Sequence, residues 1–111
     1  MTIKQTDEIT PVLFRIDRIG DFKGGLTAIF PCDPSDLQGN GMSCFAHVGQ
    51  HSGCTLAWFH TTRAAIPEEY AALRRELESA PYGYRFKIYR RIQPWMHDTR
   101  RAAATFHEAR A

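Results

Sequence analysis

Two constellations in this sequence have residue types and spacings that could do chemistry. The first is Cys44-x2-His47-x3-His51-x2-Cys54. Two thiolates and two imidazoles are a sensible zinc set. On a regular strand, however, side chains alternate faces, so Cys44 and His47, three positions apart, diverge. Cys44 and Cys54 fall on one candidate inner face, where a free cysteine behaves as a small hydrophobe. The plainer expectation is a pair of core thiols with no metal and no other cofactor. A cysteine or serine nucleophile activated by His47 or His51 is a further option, with Ser52 beside His51 in a glycine-flanked turn. That turn lacks the strand–nucleophile–helix elbow of a hydrolase, and no positioned base partner can be identified.

The second constellation is Arg85, Lys87, Tyr89 and Arg91. Alternating cations with one aromatic suit a single nucleic-acid strand, because cations track phosphates and a ring stacks on bases. The same residues suit an edge strand protected by charge. Arg100, Arg101 and Arg110 are candidates to extend the patch. The first 81 residues carry 7 basic and 10 acidic side chains, and the last 30 carry 7 and 2, so the positive charge is concentrated at the C-terminal end. Two weaker signals carry less. Asp33 and Asp36 are too few for a calcium loop, which needs six to eight oxygens. The DFKGG stretch (21–25) lacks both the phosphate-loop spacing and a following helix.

The elements that must position these residues follow from periodicity. Residues 1–10 read as a loose polar arm. Residues 12–19 alternate, with Val12, Phe14 and Ile16 on one face and Arg15 and Asp17 on the other, as in a half-buried strand. DFKGG is a turn, and 26–30 is the returning strand. The stretch 31–41 is a long irregular loop rich in Pro, Gly and Asp. Residues 42–48 and 54–61 alternate on either side of a turn at 49–53, predicting a second hairpin. Pro67, Glu68 and Glu69 open a helix whose stripe is Ile66, Tyr70, Leu73 and Leu77, ended by Pro81 and Gly83. Residues 84–92 alternate again, and Pro94 opens a final helix over 94–111. The order β-β-β-β-α-β-α predicts an α+β fold, an antiparallel sheet of about five strands with helices mainly on one face.

With 111 residues, 43% hydrophobic and 23% charged, the chain suits one packed domain over 1–111 and excludes a separate cofactor domain. No apolar run reaches the roughly 18–20 residues of a membrane span. The polar opening MTIKQTDEIT lacks a signal peptide's apolar stretch, and three cysteines are an odd count for a disulfide framework. A cytoplasmic protein with free thiols is the expectation.

The segment MSCFAHVGQHSGC, followed by TRAAIPEEYAALRRELES and then YGYRFKIYRR, resembles a group of small proteins of bacterial, plasmid and phage genomes. In that group an HVGQHS-type hairpin precedes a PEEYAxLxxEL helix and a basic strand. The likeness covers about residues 12–92. It implies a mobile-element setting, and it singles out the turn residues His47, Gly49, Gln50 and His51 as a contact site or hairpin cap. The leading expectation is a non-enzymatic interaction module that binds a protein partner, for instance as an inhibitor of a host defence complex. The alternatives are single-stranded nucleic-acid binding by Arg85, Lys87, Tyr89 and Arg91, and a small zinc protein or hydrolase built on Cys44, His47, His51 and Cys54.

Overall fold

The computed structural model describes residues 8–46 and 50–110, with side chains at all of these except 50, 51 and 105–110. The fold is α+β, as the periodicity predicts. Among the described residues six strands, β1 (Thr10–Asp17), β2 (Leu26–Pro34), β3 (Met42–Ala46), β4 (Gln50–Cys54), β5 (Thr62–Ala64) and β6 (Phe86–Ile88), accompany three helices. The helices are α1 (Leu56–Phe59), α2 (Pro67–Glu78) and α3 (Pro94–Arg110). The main path of the sheet is β4-β3-β2-β1-β5, antiparallel throughout.

The far edge of β1 is divided between two strands. β5 takes its second half, with Arg15, Ile16 and Asp17 paired to Ala64, Arg63 and Thr62. β6 takes its first half in parallel, with Thr10, Pro11 and Val12 paired to Phe86, Lys87 and Ile88. Short flanking bonds finish each pairing: Tyr89 N–H donates to Val12 O at 2.9 Å and Ala65 N–H to Phe14 O at 2.9 Å. Because β5 occupies the rest of the edge, the last strand is shorter than the 84–92 expected, and the chain bends away after Ile88.

β1 and β2 are buried on both faces. On one face Val12, Phe14, Ile16, Ala28, Phe30 and Phe45 meet Leu73 and Leu77 of α2. Aromatic rings fill this layer: Phe14 stacks on Tyr70 at 4.5 Å and Phe30 on Tyr84 at 5.3 Å. On the other face Leu13, Ile29, Met42 and Cys44 meet Phe59 of α1, with Trp58, Tyr89 and Ile92 partly buried against them. Helical cover is therefore two-sided. Removing this much apolar surface from water, at roughly 25 cal/mol per Å², is the main stabilising term.

The second hairpin differs from its expected form. The sequence reading put a turn at 49–53 and a strand at 54–61. Instead β4 spans Gln50–Cys54, with Cys44 opposite Ser52 and Phe45 opposite His51. Residues 56–59 are helical. Thr55 is the reason: its Oγ1 accepts from Trp58 N–H at 3.0 Å, an N-cap that starts a turn where two apolar residues spaced by two also fit a strand. One consequence is that Phe45 and Phe59, which a hairpin of 42–48 and 54–61 would put on one face, belong to opposite cores.

α2 begins as expected at Pro67. Glu69 Oε1 accepts from the Ile66 N–H at 3.0 Å, satisfying a donor that helix geometry leaves over. The loop 35–41 is also ordered by local bonds. Asp36 accepts from the N–H groups of Asn40 and Gly41 at 2.9 and 3.0 Å. Gly39 has φ +79° and lies so close to Arg101 that a Cβ would be 2.8 Å from its Cα. Only glycine combines that conformation with that approach.

Candidate functional site

The divided edge of β1 makes a cleft. Where β5 and β6 part, a space of about 540 Å³ opens, lined by Arg15, Ala64, Ile88, Tyr89, Arg90, Arg91 and Gln93. Three arginines are among its lining residues, and no aspartate or glutamate is. Arg15 closes the fork. Its Nε donates to Thr62 Oγ1 at 2.8 Å, one terminal nitrogen to Thr62 O at 2.8 Å, and the other to Arg90 O at 3.2 Å. Its guanidinium carbon lies 4.3 Å from the centre of the Phe59 ring, a cation–π contact. These bonds fix the fork and leave guanidinium donors for an anion. Partial burial, then the neighbouring Arg90 charge, lowers the Arg15 pKa from its ordinary value. A negative charge in the cleft is what this cluster lacks electrostatically.

Of the residues singled out from sequence, Tyr89 and Arg91 line this cleft, and Lys87 reaches the Tyr89 ring from outside the lining. The Lys87 ammonium is 5.5 Å from the centre of the Tyr89 ring, and Trp95 meets Tyr89 edge-on at 6.2 Å while remaining 46% exposed. Arg85 is exposed just before β6, where its carbonyl accepts from Thr10 N–H at 2.7 Å. Two lining residues lie outside the constellation singled out from sequence: Arg15, placed on the outward face of the first strand, and Arg90, out of step with Arg85, Lys87 and Arg91 in a strand over 84–92. The chain leaves the strand after Ile88, which breaks that alternation.

Arg100 does not extend the patch. It is fully buried, donating to Gly39 O and Pro31 O at 2.8 Å each and to His97 Nδ1 at 2.7 Å. It fastens α3 to β2 and to the loop. Arginine only donates, so His97 Nδ1 is an acceptor and the ring proton is on Nε2. Desolvation, then the charges of Arg100 and Arg101, lower the His97 pKa accordingly.

A second cleft lies on the far side of α1. It holds about 620 Å³, with Phe22, Leu26 and Trp58 as apolar walls and Cys44, Ser52 and Cys54 among its lining. Trp58 is anchored by its indole N–H, which donates to Asp17 Oδ1 at 3.0 Å. Cys44 Sγ lies 3.3 Å from Ser52 Oγ, and Cys54 lines the same cleft. The neighbouring Cys54 thiol, aided by Ser52, pulls the Cys44 thiol down to about 6 against the opposing effect of burial. Cys54 is pushed up by Cys44 and by burial. These are free thiols, as expected, and so is Cys32.

The four-ligand zinc arrangement is not assembled among the described residues. Cys44 and Cys54 come together, but His51 stands opposite Phe45 in the register, off the positions of Cys44, Ser52 and Cys54. His47 and Gly49 lie outside the described residues, as do the side chains of Gln50 and His51. No group of three or more His, Cys, Asp or Glu gathers among the residues described. Among them, too, no helix is long and apolar enough to cross a membrane. Comparison with known proteins finds no matching family model, no similar curated protein and no similar solved structure.

Proposed function

We propose that the chain is a binding module for a single strand of nucleic acid, held in the cleft at the fork of β5 and β6. The observation that carries this reading is a cleft lined by Arg15, Arg90 and Arg91, with the Tyr89 ring in its wall and no carboxylate among its lining. Planar guanidinium groups match phosphate oxygens two at a time. Tyr89, and Trp95 beside it, offer rings on which a base can stack, each such contact being worth roughly 1–3 kcal/mol. A duplex presents no free base faces, so the module prefers single strands. In the mobile-element setting implied by the resemblance, such a module acts by occupancy rather than by turnover.

The test is fluorescence anisotropy with short single-stranded and duplex DNA and RNA, at low and moderate salt. Salt-sensitive binding to single strands is expected. Exchanging Arg90 and Arg91 together for alanine should flatten the dependence of log affinity on log salt by about 0.7 per phosphate contact removed. An unchanged slope in that double variant sinks the reading.

A protein partner is the second reading, and Phe22 favours it. This ring is 79% exposed at the rim of the apolar cleft. An exposed aromatic beside an apolar cavity is the usual anchor point of a protein interface. If nucleic acid of every form fails to bind at low salt, that surface becomes the one to probe.

A further inference from the structure

The cysteine cleft has a property that nucleic-acid binding does not use. Cys44 and Cys54 sit on adjacent strands, two positions apart in the register: Met42 pairs with Cys54 and Cys44 with Ser52. Diagonal positions on one face of an antiparallel pair are within reach of each other's side chains. Both residues line an open cleft of about 620 Å³, and Cys44 Sγ lies 3.3 Å from Ser52 Oγ. Cys44 is only 5% exposed, so the cleft is the route by which a reagent reaches it. Diagonal neighbours stand roughly 7–8 Å apart, beyond the Cα spacing of a disulfide, so bridging requires β4, which ends the sheet among the described residues, to shift against β3.

We propose that Cys44 and Cys54 are a redox-active dithiol, with Cys44 the attacking sulfur and Cys54 the resolving one, and a small-molecule disulfide such as oxidised glutathione the oxidant. The proposal is independent of the nucleic-acid reading. Cys44 is the better nucleophile because the neighbouring Cys54 thiol and the Ser52 hydroxyl stabilise its thiolate. The buried Arg100 cation acts on Cys54 in the same sense, favouring its ionisation when the second step needs it.

The chemistry balances. The Cys44 sulfur bonds to one sulfur of the disulfide, whose S–S bond breaks and releases one small thiolate. Cys54 then loses its proton and attacks the Cys44 sulfur. The Cys44–Cys54 bond forms, and the second small thiolate leaves. Two protein thiols are oxidised, one external disulfide is reduced, and the two thiol protons end on the released small thiols or in water.

The experiment exposes the full chain to oxidised glutathione, caps remaining thiols with iodoacetamide and maps them by mass spectrometry. The unaltered chain should lose two cappable thiols, Cys44 and Cys54, keep Cys32 cappable and retain no glutathione. Cys54→Ser should trap one glutathione on Cys44, and Cys32→Ser should behave like the unaltered chain. Three thiols still cappable, or modification mapping to Cys32, overturns the proposal. Glutathione retained on Cys44 of the unaltered chain overturns the resolving role. A second measurement needs no variant: the rate of Cys44 capping should reach half its maximum near pH 6. A rise only in the ordinary thiol range near 9 overturns the assignment of Cys44 as the attacking sulfur.

Discussion

The arginine cleft and the cysteine cleft share α1 as a partition, yet they are built in opposite ways. Phe59 supports Arg15 on one side, and Trp58 walls the thiols on the other. The arginine cleft is a product of topology: residues 15, 64 and 88–93 meet only because two short strands divide one edge of β1. The cysteine cleft is a product of local register, set by one hairpin and the turn that follows it. The first holds fixed charge that no accessible pH removes. The second holds a thiol that titrates at about 6, so its charge is conditional. The same helix therefore borders a permanent anion-seeking surface and a titratable one.

The largest expected effect falls on neither cleft directly. Arg100→Ala removes the cation near Cys54 and strands the carbonyls of Pro31 and Gly39, besides leaving a cavity. A loss of about 3 kcal/mol is expected, since each unsatisfied buried acceptor costs roughly 1–3 kcal/mol. Urea denaturation reads it. Nucleic-acid affinity of the folded fraction should hold, because Arg100 faces the loop and not the fork. If affinity falls with stability intact, the separation of the clefts is wrong.

Arg15→Ala comes next. It deletes three hydrogen bonds and the contact with Phe59, at a cost on the order of 2 kcal/mol. It should also abolish salt-sensitive binding, because the fork loses its clasp and its deepest charge. Arg15→Lys keeps the charge but cannot reproduce the forked bonds to Thr62 and Arg90, so it should rescue little. Full rescue by lysine would show that charge alone matters there.

The contrast between these two arginines measures how much was legible in sequence. Local patterns read well. Pro67 with the Tyr70, Leu73 and Leu77 stripe marks α2, and alternation marks β1, β2 and β3. Of the basic run at 85–91, Tyr89 and Arg91 come to line the fork. Failures came where two local readings tie or where a partner is distant. Leu56 and Trp58 satisfy both a strand and a helical turn, and the Thr55 hydroxyl decides between them. Arg15 and Arg100 looked alike as exposed cations, yet one clasps a fork 47 residues away and the other is sealed against carbonyls 61 and 69 residues away. Nothing in a single sequence encodes those separations. The cysteine pair read from sequence as core thiols does pack in and against the core, and the open cleft beside it depends on where α1 and the 18–25 turn are placed.

A pH titration separates the clefts without mutation. The Cys44 thiol titrates at about 6 when folded and near 9 when unfolded, so the folded chain binds fewer protons between those values. Stability should therefore rise as pH increases from 6 towards 9. Above 9 the sign reverses, because Cys54 keeps its proton when folded and would lose it unfolded. Cys44→Ser should remove the rising limb. Binding at the arginine fork should stay level from pH 6 to 9, and a fork affinity that follows the thiol would join the two clefts into one site.

The smallest effect tests the wall of the fork. Arg63 of β5 donates to both carboxylate oxygens of Glu69 on α2, at 2.9 and 2.7 Å. That bidentate contact, followed by the Ile66 N–H, holds the Glu69 carboxyl down to about 2. A depressed carboxyl contributes stability above its unfolded value of 4.5 and loses it as pH falls towards 2. The pair is exposed to solvent, so salt screens it and the contribution is slight. Glu69→Gln should weaken nucleic-acid binding slightly by loosening β5, which carries Ala64 in the cleft wall, and should leave Cys44 capping rates untouched. A change in the capping rate would mean that strain in β5 passes through α1 to the thiols, and that the partition is a linkage instead.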